Sequence, residues 1–342
     1  MRDKILPDER QPPVKPPFQL SATPEAAYQP FLIRHQGNRM ATMLGQPTDH
    51  NKKRYLDLLE LCLCNLIYGD PPRGHGEGYG FNETIRTEGK DWPSVAHTMI
   101  GRVRLSHLRR TVEQVLEEGV PGDFIEAGVW RGGACIMMRG VLAAHGVNDR
   151  IVCLADSFHG LPPPDAVNFP ADAGLDFHKY EELAISKAEV EEAFRRYDLL
   201  DEQVRFHEGW FKDTLPRLGD QRFALIRLDG DLYESTWTAL TELYPRLSPN
   251  GFTIVDDYFS ISACQQAVDD YRKKCRITAP MVQIDWNSAF WRKPGLNSAA
   301  GVEDGFWRKL FRHSVRTNTK HQKSSSHRQG SAAVPISLAA PR

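Results

Sequence analysis

The spacing of apolar positions changes along the chain, and the change falls near residue 123. Before it, residues 54–67 (RYLDLLELCLCNLI) carry apolar positions at helical spacing. Residues 95–119 (VAHTMIGRVRLSHLRRTVEQVLEEG) do so again, closed by Gly119. A glycine-rich stretch, GDPPRGHGEGYGF, separates them. From residue 123, short apolar runs predict strands at 124–128 (FIEAG), 151–155 (IVCLA), 204–208 (VRFHE), 223–229 (FALIRLD) and 251–257 (GFTIVDD). Helical patterns lie between them, one running to about His145 and others near 181–196, 234–246 and 260–274. Residues 277–293 (ITAPMVQIDWNSAFWRK) predict two more strands around a tight turn at Asp285 to Asn287. Such alternation implies βαβ units, hence an α/β, doubly wound, mostly parallel sheet covered by helices on both faces.

The pattern divides the chain into four parts. Residues 1–50 read as a proline-rich disordered arm, 51–120 as an N-terminal helical lid segment, 121–294 as the main domain, and 295–342 as a disordered basic tail. Within the tail, FWRKLFRHSVR (306–316) mixes aromatic and basic residues and reads as solvated chain rather than a membrane-binding helix. There is no internal repeat.

Composition narrows the function classes. The formal net charge is −1, so no global field draws the chain to nucleic acid or membrane. The first residues, MRDKILPDERQPPVKPPFQL, lack the apolar core of a signal peptide, and no apolar run has the length of a membrane span. Six cysteines lie scattered through apolar runs, as free thiols do in a reducing compartment. The expectation is a cytoplasmic protein with no membrane span, and a homo-oligomer is compatible with the sequence.

In doubly wound folds, ligands bind beyond the C-terminal ends of the strands. The first strand runs into FIEAGVWRGGAC, whose glycines at 128, 132 and 133 allow a close backbone approach. Their spacing is not that of a dinucleotide-binding loop, and the acid Glu126 would repel a pyrophosphate. An acid ahead of a glycine suits the ammonium and sulfonium of S-adenosylmethionine. Asp156, at the end of the second strand, is placed to hold a ribose diol. Trp210 and Phe211, after the third, are candidates to stack on adenine, although an aromatic there is as often part of a core. Asp229 ends the fourth strand, and Asp256 and Asp257 end the fifth. One such acid alone would be a helix cap or a solvated side chain. Three at adjacent strand ends repel one another unless a hard cation such as Mg²⁺ joins them. Asp231 falls in the following loop and is set aside as a ligand.

These segments resemble the macrocin O-methyltransferase family. The matching runs are GKDWPSVAHTMIGRVRLSHL (89–108), FIEAGVWRGGA (124–134), ADSFHGLP (155–162), EGWFKDTLP (208–216), LDGDLYESTW (228–237) and IVDDY (254–258). The resemblance implies a class I, Rossmann-like methyltransferase sheet with an antiparallel last strand. It implies cofactor contacts at Met99, Glu126, Gly128, Asp156, Ser157, Gly209 and Trp210. It also implies Mg²⁺ held by Asp229, Asp256 and Asp257, with Asp229 as general base. His97, His159 and His207 remain alternative bases. The expected reaction is Mg-assisted methyl transfer from S-adenosylmethionine to a hydroxyl of a glycosylated natural product or other sugar-bearing small molecule. A catechol-type enzyme acting on a phenolic diol and a non-catalytic nucleotide-binding module are the alternatives. The proline-rich insertion 157–180 reads as a lid or a substrate-selecting loop, closing with the glycine-rich loop over the acceptor.

Overall fold

A computed structural model describes residues 48–74, 78 and 80–295. The expected N-terminal arm, apart from its last residues, the basic tail and part of the glycine-rich loop lie outside the described residues. In chain order the helices are α1 (Asp49–Leu63), α2 (Glu83–Thr87), α3 (Gly101–Glu117), α4 (Gly133–His145), α5 (Lys187–Arg196), α6 (Phe211–Thr214), α7 (Tyr233–Leu243) and α8 (Ser262–Lys274). The strands are β1 (Asp123–Ala127), β2 (Val152–Asp156), β3 (Val204–Glu208), β4 (Phe223–Leu228), β5 (Leu247–Val255), β6 (Val282–Gln283) and β7 (Ala289–Arg292).

The sheet order is β3-β2-β1-β4-β5-β7-β6. Strands β1 to β5 pair in parallel, and β7 runs antiparallel to both β5 and β6. This is the mostly parallel sheet that the βα alternation predicts, with the antiparallel last strand that the family resemblance implies. Successive strand residues feed opposite faces. Phe124, Leu154 and Ile254 join the core under α1, α3, α4 and α5, whereas Ile125, Cys153 and Val255 join the core under α7 and α8. Helices α1 and α3 therefore belong to the main core. Leu56, Leu59, Leu105, Leu108 and Val112 pack in one cluster with Met137, Met138 and Val141 of α4. The segment read as a lid gives these helices to the core and contributes to the cavity mainly through residues 89–104.

Helix α1 starts earlier than the sequence reading, at Asp49 rather than 54, and two other helices start later. The helix expected from residue 95 begins at Gly101, where φ is +72°. A side chain at Gly101 would come within 2.3 Å of the Gly89 nitrogen, so the start of α3 packs directly against the backbone that follows α2. The helix expected from 181 begins at Lys187, where Ser186 and Glu189 form a reciprocal capping box. The loop between α1 and α3 is fixed by Arg86, fully buried, which binds Asp70 at 2.7 Å and Asp91 at 2.9 Å.

Candidate active site

The parallel strands end along one edge, and their tips interlock. The Gly128 N–H bonds the Ala155 carbonyl at 2.9 Å, Asp229 bonds Ala127 at 2.8 Å, and Asp256 bonds Leu228 at 2.9 Å. The residues that follow β1, β4 and β5 thus start from fixed backbone positions. Gly128 has φ +91°, and a Cβ there would sit 1.8 Å from the Asp229 carbonyl oxygen. Its glycine is required by the adjoining strand, a more local reason than approach to a ligand.

Beyond this edge lies a cavity of about 670 Å³. Met99, Glu126, Gly128, Asp156, Ser157 and Trp210 are on its wall. Gly209 is not: it lies behind the wall, its N–H bonded to the Asp156 carbonyl at 2.8 Å. Asp156 accepts hydrogen bonds from the backbone N–H groups of Val129 and Phe158, each at 2.7 Å. Burial nevertheless raises its pKa. Glu126 is buried, with one oxygen paired to Arg227 and the other bonded to Cys135 at 2.8 Å. Burial raises its pKa, and Arg227 opposes the rise. Arg227 is shared, since it also pairs with Asp229 and Asp256.

The carboxylates divide into two groups. Asp256 is held by both Arg104 and Arg227, and its backbone carbonyl accepts from Ser288 at 2.6 Å. Burial works against its charge, but Arg104 and then Arg227 hold its pKa below the ordinary value. Asp229, Asp231 and Asp257 instead converge, with one oxygen from each lying within 4.8 Å of the others. Among the described residues no ion pair reaches Asp231 or Asp257, whereas Asp229 binds Arg227 at 2.8 Å. Burial, then repulsion from Asp229, pushes Asp231 up to about 7. Burial, then the charge of Asp231, raises Asp257 well above the carboxylate range. Asp229 is raised by burial and by Asp256. The expected triad of 229, 256 and 257 is thus geometrically a triad of 229, 231 and 257, with Asp256 occupied by arginines. Asn287 donates to Asp257 at 3.1 Å, and its own Oδ1 is buried without a hydrogen-bond partner.

Of the three histidines, His97 lines the cavity, whereas His159 and His207 do not. His97 bonds the Tyr197 hydroxyl at 3.0 Å, and burial lowers its pKa to about 4. Arg104, Arg227 and Asn287 were missed in the sequence. Arg227 lies in an apolar strand, and only a count of unpaired acids around it would have singled it out.

The macrocin O-methyltransferase (TylF) family matches residues 75–293. The chain belongs to this family. Demethyldecarbamoylnovobiocin O-methyltransferase of Streptomyces niveus is 48% identical over 252 residues, 72% of this chain and 95% of that protein. Mycinamicin III 3''-O-methyltransferase of Micromonospora griseorubida is 49% identical over 244 residues, 70% of this chain and 96% of that protein. The solved structure of the O-methyltransferase NovP superposes with a TM-score of 0.68 at 48% identity, covering 71% of this chain and 99% of that one. The sheet of this macrocin O-methyltransferase relative is a class I, Rossmann-like methyltransferase sheet. Among its described residues no helix is long and apolar enough to cross a membrane.

Proposed function

We propose that this O-methyltransferase transfers a methyl group from S-adenosylmethionine to a sugar hydroxyl on a glycosylated small molecule, with a divalent cation at its acidic cluster. The observation that carries the reading is the convergence of Asp229, Asp231 and Asp257 at a cavity that also holds the tips of β1 and β2. Support for a glycoside acceptor comes from the family and from relatives named for demethyldecarbamoylnovobiocin and mycinamicin III.

The donor set fits both groups. Met99, Gly128, Asp156, Ser157 and Trp210 offer the cofactor a thioether, open backbone, a carboxylate, a hydroxyl and an indole half exposed to the cavity. When bound, S-adenosylmethionine supplies a methyl group on a positively charged sulfur. Asp231 and Asp257 are partly buried acids with no cation beside them, and Asp257 Oδ2 has no hydrogen-bond partner, a set that hard cations satisfy. Mg²⁺ there would balance this charge and make a bound hydroxyl more acidic.

The chain's own residues do the rest. The cavity walls align the acceptor oxygen, which is where most of the advantage over solution arises. Asp229 accepts the hydroxyl proton through the oxygen that Arg227 does not hold. Arg227 keeps that carboxylate oriented.

Mass spectrometry of reactions containing S-adenosylmethionine, Mg²⁺ and parallel panels of glycosides and phenolic diols tests the reading. A methylated glycoside is the expected product; methylation of phenolic diols alone would overturn the acceptor class. Chelation should abolish turnover, added Mg²⁺ should restore it, and S-adenosylmethionine binding measured by calorimetry should survive the chelator. Full turnover in excess chelator would remove the metal from the reaction.

A further inference from the structure

The insertion between β2 and α5, residues 157–186, supplies Leu161, Pro163, Asp165, Phe177 and Leu183 to the cavity wall. In its middle, Asp172 is fully buried. One of its oxygens accepts from the Tyr233 N–H at 2.6 Å, and the other accepts from the Glu234 N–H at 3.1 Å. These are the first two residues of α7, whose own preceding residue, Leu232, provides no side-chain cap. The helix is therefore capped from 61 residues earlier in the chain. Phe169 adds a ring contact on Tyr233, with centroids 6.1 Å apart. The far end of the insertion is tied as well, through the Trp130 indole N–H to the Glu182 carbonyl at 2.9 Å.

The residue two positions before α7 is Asp231, which has φ +57°. A side chain in the left-handed region persists only where its surroundings over-determine it. Here the backbone is fixed on one side by the Asp229 bond to β1 and on the other by the capped first turn of α7. We propose that Asp172 is a positioning residue: capping α7 from within the insertion, it fixes both the acceptor-facing wall and the aim of Asp231 into the acidic cluster. This rests on the reading of Asp229, Asp231 and Asp257 as a divalent-cation site. It also makes the insertion a fastened wall, where the sequence suggested a free lid.

The test compares Asp172→Ala and Asp172→Asn with the wild type in the full chain, using Mn²⁺ and S-adenosylhomocysteine as probes without acceptor. Mn²⁺ affinity should fall about fivefold to tenfold in Asp172→Ala, the factor that loss of a helix cap carries, and less in Asp172→Asn. S-adenosylhomocysteine affinity should be unchanged, and protease cleavage should appear within the insertion. A cap with a purely structural role would lower thermal stability and leave Mn²⁺ affinity at the wild-type value; that result overturns the proposal. A wild type that binds no Mn²⁺ overturns the cation site itself, so the two failures are distinct. Should Asp172→Ala not fold, Asp172→Asn, which keeps one acceptor oxygen, decides by the same comparison.

Discussion

Asp256 and Asp257 are consecutive, yet their side chains do opposite things. Asp256 neutralises Arg104 and Arg227, and Asp257 faces other acids. Removing the first takes one carboxylate from two buried guanidiniums; Arg104 keeps Asp285 and Arg227 keeps Glu126 and Asp229, so the cost falls below the roughly 3–5 kcal/mol of a fully unpaired buried charge. Asp256→Ala should therefore lower the Tm, whereas Asp257→Asn should hold or raise the Tm of metal-free protein and lose activity; calorimetry with an activity assay separates them. The sequence shows two adjacent acids and cannot rank them, because the two arginines that claim the first lie 152 and 29 residues away. A second expectation concerns His107, buried against Phe290 and depressed to about 3 by burial and Arg110. Its folded pKa is below the unfolded value, so the unfolded chain binds more protons between the two. The stability it confers is present above about pH 6.5 and is lost on acidification. Between pH 7 and pH 5 the loss is about 2 kcal/mol, and His107→Leu should flatten that part of the profile in denaturant titrations.

At the scale of elements, β1, β2 and β4 were readable because each is a short apolar run buried on both faces, whereas the edge strand β3 is partly exposed. Strand β5 extends further back than expected, to Leu247, and the start of α3 lies later, at Gly101. Contacts between distant segments set that helix start, and local periodicity does not carry them. Gly128 gives a measurable case. Gly128→Ala would drive a methyl group into the Asp229 carbonyl and should prevent accumulation of folded protein. Gly146, at the end of α4, also has positive φ (+67°), but open space surrounds it. Gly146→Ala should cost only about 1 kcal/mol, measured by urea unfolding.

At the scale of the molecule, the family match ends at residue 293 and the last strand at Arg292. Removing residues 296–342 should leave turnover and Tm unchanged; loss of activity in a normally folded truncated protein would assign the tail a role. The parallel sheet and the position of the cavity at its strand ends followed from the sequence, since both depend on βα alternation. The division of labour among the acids did not, since it depends on which charges meet once the sheet has formed.

The interlocked strand tips also bear on how such an enzyme changes its acceptor. Backbone bonds between neighbouring strands carry Gly128, Asp229 and Asp256, so substitutions near them disturb several positions together. The insertion meets the sheet-borne machinery through Asp172, the Glu182 carbonyl and the core residues Phe158 and Ile185. Exchange of that segment between relatives, with an aspartate kept at the helix start, is a route by which natural variation or deliberate recombination can diversify acceptors while the methyl-transfer apparatus is inherited intact.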